Sequence, residues 1–255
     1  MLNDIKSNWE KDYEAYKTFL ESRVYFTNTG FEKEFQILYQ KVFLYTTLTE
    51  DICGIDKRSK IKDFFFTCKN NLIISFDLAN INYLNASKQI LRSSIESFFR
   101  LSLSLSKYIE YRENKKKGIY NSTQKLKDLK SMQECHKVGK MTLFVKDNYS
   151  STPVKELYCN LYDLYSHLSG AVHTNDSNNF TPHKYLMDYT NIDSKRIEDH
   201  IKDMNIVIDA IIIIIYYFSF QLHEENVIIS KRDLIGFEQI SLNSGYLDLI
   251  QEYFH

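Results

Sequence analysis

Two short stretches carry residue types and spacings suited to acid–base or phosphate chemistry. The first is Leu91-Arg92-Ser93-Ser94-Ile95-Glu96-Ser97-Phe98-Phe99-Arg100, where Arg92, Glu96 and Arg100 recur at steps of four. On a helix these three share one face, and Glu96 ahead of Arg100 is a favourable i,i+4 ion pair. The neighbours are apolar, and a guanidinium buried among them is costly unless paired. The ladder therefore suits either a salt-bridged face that orders the helix or a centre that binds phosphate. The second stretch, Leu164-Tyr165-Ser166-His167-Leu168-Ser169-Gly170-Ala171-Val172-His173, sets Ser166, Ser169 and His173 at steps of three and four. Gly170 and Ala171 lack bulk, so another helix can approach there. A histidine near a helix C-terminus is stabilised in its charged form by the macrodipole. His173 thus suits an acid, a base or a phosphate contact, and equally a cap on terminal carbonyls. His167 is turned about 100° from Ser166 and is the weaker candidate. The candidate catalytic set is His173, Arg92, Glu96, Ser169 and Arg100.

Helices must position these residues. Residues 3–25 are amphipathic, with Ile5, Trp9, Tyr13, Tyr16, Leu20 and Val24 at three- and four-residue steps. A second helix is predicted over 31–48 and a third over 59–80, the latter striped by Phe64, Cys68, Leu72 and Phe76. The next covers 87–111, with Ser87 as its N-cap; residues 80–85 suit a turn or continuous helix. Thr152 as N-cap, Pro153 at the first helical position and Glu156 in the first turn open a helix running to about His173. Residues 174–179 are polar and loop-like. Asp193 or Ser194 starts a long apolar helix that ends near Glu225. Residues 226–255 form a tail of one or two short helices broken at Gly236 and Gly245.

The 255 residues include only seven glycines and two prolines, too few for the turns of a sheet-rich fold. With 44% hydrophobic residues the chain can bury a substantial core. The expected architecture is all-α: a single helical bundle over 1–255, its core at about 60–225, with long central helices. A net charge of −1 argues against a global field for nucleic acid or membrane. Locally the balance differs. Residues 111–140 hold nine basic side chains against three acidic ones, and read as a basic connection between helices with a short helix after Thr123. Lys115, Lys116, Lys117, Lys125 and Lys127 are its candidate nucleic-acid contacts. Its charges do not alternate with aromatic residues as base-stacking platforms do, so a solvated, lysine-bearing surface also fits.

Residues 206–222 are nearly all apolar, but Asp209 interrupts them, and the uncharged remainder falls short of a comfortable membrane span. A buried central helix with no membrane partner is expected. Cys53, Cys68, Cys135 and Cys159 form no CxxC pair, and residues 1–6 have no apolar signal core, which together suit reduced thiols and a cytoplasmic location. No metal site and no cofactor are expected: HExxH, cysteine clusters, glycine-rich phosphate loops and GxSxG elbows are missing from the sequence.

Arg92 and Glu96 on one long helix, followed by a helix of the Tyr-x-x-Leu-Ser-x-x-x-His kind carrying Ser169 and His173, resemble the HEPN superfamily, over roughly residues 60–225. The closest likeness is to bacterial HEPN-like proteins with a Leu-Ser-x-x-x-His helix. The resemblance implies an all-α bundle, often a homodimer. It also implies RNA cleavage without metal by an arginine and a histidine spaced R-x4–6-H, in phage defence or beside an antitoxin. The positions that should supply that arginine ahead of His173 hold Leu168, His167 and Ser166. Arg92 or Arg100 from the neighbouring helix is the natural replacement for the missing charge. A non-catalytic module that binds RNA, nucleotide or a partner protein remains the alternative.

Overall fold

A 33-residue helix, roughly 50 Å long at 1.5 Å per residue, forms the spine of the molecule. The structure is a computed structural model and describes residues 2–23, 25, 30–48, 60–172, 186–222 and 244–254. In chain order its helices are α1 (Leu2–Glu21), α2 (Glu32–Thr47), α3 (Ile61–Asn80), α4 (Leu84–Lys116), α5 (Gln124–Gln133), α6 (Val138–Asn148), α7 (Lys155–Val172), a short 3₁₀ turn (Leu186–Thr190), α8 (Ser194–Leu222) and α9 (Ser244–Phe254). The architecture is an all-α bundle, with no strand among the described residues.

α4 packs against α3, α5, α6, α7 and α8. Side-chain contacts fix the directions. Asn71–Ser97 and Ser75–Ser87 pair α3 antiparallel to α4. Arg92–Ser169 and Ser102–Tyr158 do the same for α7. Asn85–Arg196 and Ser87–His200 run α8 parallel to α4. The C-terminal end of α7 and the N-terminal half of α8 therefore both lie against the N-terminal half of α4.

α8 is the apolar centre. Ile211, Ile212, Ile213, Ile214 and Ile215 are all fully buried, as expected of a helix enclosed on every side. It is long and apolar enough to cross a membrane by length and composition, but 72% of its most apolar window is buried inside the protein. Asp209, the charge that breaks the apolar run, meets Lys41 of α2 at 2.7 Å, and Lys41 also donates to Asn205 at 2.7 Å. That pair fixes the register of α2 on α8.

Several helix ends depart from expectation. The α3–α4 turn is real: Asn82 adopts a positive φ of 66°, and its amide donates to Tyr189 O and Asn191 O. α4 begins at Leu84, and Ser87 is not a cap. It lies inside the helix, fully buried against Ser75 and His200. Thr152 does not cap α7 through its side chain. Its hydroxyl donates back to Tyr149 O at 2.7 Å, and α7 starts at Lys155. Asp193 does cap α8, accepting from the Arg196 amide at 3.2 Å. Gly245 is the second residue of α9, whose described part begins at Ser244; Gly236 lies outside the described residues. Residues 111–140 are not mainly a connecting loop. α4 continues to Lys116, α5 packs along it with Leu129 buried, and Thr123 caps α5 as expected by accepting from the Leu126 amide. Lysine favours helix, so nothing stops α4 before Gly118.

Candidate functional site

Arg92 is the centre of the first polar cluster. From α4 it crosses to α7, where its Nε donates to Ser169 Oγ and its Nη2 to Tyr165 OH, both at 2.8 Å. The guanidinium carbon also lies 4.7 Å from the Tyr165 ring centroid, a cation–π distance. Three groups thus hold one half-buried guanidinium in a fixed orientation. Ser169 in turn donates to Tyr165 O at 2.7 Å. Its proton is spent on a carbonyl and its oxygen on a guanidinium, so among the described residues Ser169 positions Arg92 and meets no base that would activate it.

Arg100 is turned elsewhere. Its Nη1 donates to Gln133 O at 2.6 Å and its Nη2 to Cys135 O at 3.0 Å. A cation on the last carbonyl of α5, and on Cys135 O just past its end, is favourable for both hydrogen bonding and the helix dipole. Glu96 stands 3.5 Å from Arg100 as the expected i,i+4 pair. Gln133 completes the junction, accepting from Lys107 at 2.7 Å and donating to Ser104. The Arg92/Glu96/Arg100 face therefore divides: Arg92 serves α7, whereas Glu96 and Arg100 serve the end of α5.

His173 follows the last described residue of α7 and lies outside the described residues. Ser166 and His167 are exposed, and the Ser166 hydroxyl donates to Tyr162 O. Burial raises the pKa of the Asp203 carboxyl on α8, opposed by Lys88 of α4 and then by His167 of α7. Ionisable residues from all three helices thus meet near this end of α4. Beside them is a buried hydrogen-bonded set. His200 Nε2 lies 2.6 Å from Ser87 Oγ, and Ser87 donates to Ser75 O at 2.6 Å. Burial, reinforced by Lys88, pushes His200 down to about 3. A neutral, sealed imidazole of this kind is structural.

The lysines are at the other end of α4. Lys115 and Lys116 form its last turn, Lys117 caps it, and Lys125 and Lys127 lie in the first turns of α5; all five are exposed. Lys116 meets Glu113 at 3.3 Å and Lys125 meets Glu110 at 2.8 Å. Arg92 and Lys116 are 24 helical residues apart, about 36 Å along the axis. The candidate nucleic-acid contacts therefore lie far along α4 from the Arg92 end of the candidate catalytic set.

Tyr165, the tyrosine of the Tyr-x-x-Leu-Ser-x-x-x-His pattern, is not in the candidate set, and neither is Tyr120. The signal for Tyr165 was its place four residues ahead of Ser169, on the same helical face. Tyr120 carried only a weak signal, since its setting depends on a turn between two helices. Among the described residues no group of three or more His, Cys, Asp or Glu is arranged to hold a metal. A cleft of about 840 Å³ between the starts of α2 and α8, lined by Phe31, Glu34, Glu198, Lys202 and Asn205 among others, shares no residue with the Arg92 cluster. No family model matches the sequence, and comparison with curated proteins and with solved structures returns no match.

Proposed function

We propose that this chain is a HEPN-like effector acting on RNA, with Arg92 as its phosphate contact and His173 as its proton-transfer group. The supporting observation is the fixing of Arg92 across the α4–α7 contact by Ser169 and Tyr165. Cleavage of RNA by its own 2′-hydroxyl needs a base, an acid and a cation for the developing phosphorane. An oriented guanidinium is worth most as that cation, because it needs no reorganisation when charge develops. His173, four residues beyond Ser169 in the chain, has the chemistry for proton transfer. A second reading, a module that binds RNA without cutting it, is favoured by one detail: the positions that should supply the motif arginine ahead of His173 hold Leu168, His167 and Ser166.

The test is incubation of labelled single-stranded RNA with the purified chain in the presence of EDTA. Cleavage should occur, and Arg92→Ala should slow it by about 100-fold or more, with circular dichroism confirming the fold. Arg92→Lys should recover little, since lysine lacks the fork that grips Ser169 and Tyr165. His173→Ala should abolish cutting. Arg92-dependent binding with no cleavage selects the second reading. Indifference of both cleavage and binding to Arg92→Ala overturns the role given to this cluster.

A further inference from the structure

The turn joining α4 to α5 is built to present an aromatic ring. Tyr120 is 82% exposed, and its neighbour Ile119 is exposed as well. A tyrosine ordinarily contributes by burying its large ring; here a well-defined turn holds it out in solvent. Gly118 takes a φ of 72°, Ile119 N donates to Asn114 O at 2.8 Å, and Gly118 N donates to Lys115 O at 3.0 Å. This is the left-handed helix stop that glycine allows. The buried Asn114 then donates to Glu110 at 3.2 Å and to the Thr123 hydroxyl at 3.4 Å, and Lys125 ties the start of α5 back to Glu110. The turn is braced on both flanks, so the backbone that carries Tyr120 is held with the ring outward.

Its electrostatic setting selects the ligand. From residue 114 to residue 127 there are five lysines and no acidic residue. Lys116 and Lys125 are bridged to acids on α4, while Lys115, Lys117 and Lys127 are exposed on the two flanks of the turn. An exposed ring among lysines matches a polyanion that carries flat, stackable groups. Two side chains, Ile119 and Tyr120, are too little apolar surface to anchor the protein on a bilayer. Base stacking on an aromatic ring, by contrast, needs only one ring and a nearby cation for the phosphate.

The geometry points to the α4–α5 turn as a docking point for single-stranded nucleic acid, with Tyr120 stacking on a base and Lys115, Lys117 and Lys127 contacting phosphates. It shares with the function proposed above only the class of ligand, because the turn lies about 36 Å along α4 from Arg92.

The experiment is fluorescence anisotropy on the full chain with labelled uridine and thymidine dodecamers, repeated across a salt titration. Tyr120→Ala should weaken binding about tenfold without changing the salt dependence, since no charge is lost. Tyr120→Phe should retain affinity. The triple variant Lys115→Glu, Lys117→Glu, Lys127→Glu should flatten the slope of log affinity against log salt by about two. Wild-type affinity in Tyr120→Ala overturns the proposal. So does Tyr120-dependent binding to phosphatidylserine–phosphatidylcholine vesicles with none to either dodecamer. Tyr120-dependent binding in a protein that never cuts RNA keeps the turn and removes the nuclease reading; binding of the thymidine strand alone keeps the turn and removes RNA as the ligand.

Discussion

Lowering the pH from 7 to 5 should weaken the fold by about 2 kcal/mol through His200 alone. The ring is 1% exposed, and its Nε2 is 2.6 Å from Ser87 Oγ. With the Ser87 proton on Ser75 O, the matching neutral tautomer donates from Nε2 and keeps its lone pair on Nδ1. Nδ1 has no hydrogen-bond partner among the described residues. Protonation would create a buried N–H there with nothing to receive it, next to the charge of Lys88. These causes hold His200 at about 3 in the folded chain against an ordinary 6.5. The folded pKa is depressed, so the unfolded chain binds the proton more readily between those values. Stability is intact above pH 6.5 and falls as pH drops toward 3. Near pH 5 the slope approaches one proton, about 1.4 kcal/mol per pH unit, and the full loss by pH 3 is about 5 kcal/mol. Asp203 and Asp209 act in the opposite sense, since burial raises both; they are common to wild type and variant and cancel in the comparison. Urea midpoints should be measured at pH 7, 6 and 5 for the wild type and for His200→Gln, with His200→Asn as a second replacement. The wild type should lose stability steeply and the variants far less. Parallel loss in all three proteins would refute the assignment of the acid sensitivity to this imidazole.

Two further perturbations test how the helices are joined. Lys41→Met should cost about 2–3 kcal/mol, because it leaves the half-buried Asp209 carboxylate without its cation beside the apolar centre, and adding Asp209→Leu should recover most of that loss; equal urea midpoints for the single and double variants would show that the pair does not hold α2 on α8. Arg100→Met should cost about 2–3 kcal/mol, the worth of charge-assisted bonds to the two carbonyls, and should raise amide exchange at residues 126–135 above that elsewhere; unchanged exchange there would show that the guanidinium does not secure the end of α5.

Periodicity made the helices legible, because burying one face of each leaves a three- to four-residue rhythm in the sequence. Their ends were less legible, for reasons that differ by residue. Ser87 has the right type for a cap, but α3 and α8 close over it and use its hydroxyl inside the core. Thr152 has the same ambiguity, resolved by a carbonyl three residues upstream. Residues 111–116 are so rich in charge that they read as a surface connection, yet arginine, lysine and glutamate are good helix formers and only Gly118 stops the helix. The meeting of Arg92 with Ser169 could be anticipated, since each is a polar residue on an otherwise apolar helical face. The diversion of Arg100 could not, because it depends on where a short helix 33 residues further along happens to end.

The position of α5 also decides how the two polar ends of α4 can cooperate. Between Arg92 and the lysines α4 carries Arg100, Lys107 and Arg112, and each is engaged within the protein: Arg100 donates to Gln133 O and Cys135 O with Glu96 beside it, Lys107 to Gln133 Oε1, and Arg112 to Tyr108 OH. The face of α4 is therefore not a continuous basic track. A strand touching both ends would have to pass some 36 Å with little help between them, so the lysines cannot clamp the same phosphate that Arg92 contacts. Charge at the turn should then govern how firmly a nucleic acid is held, and Arg92 what happens at a single phosphate. The two roles are separable by mutation because one rigid helix keeps them apart.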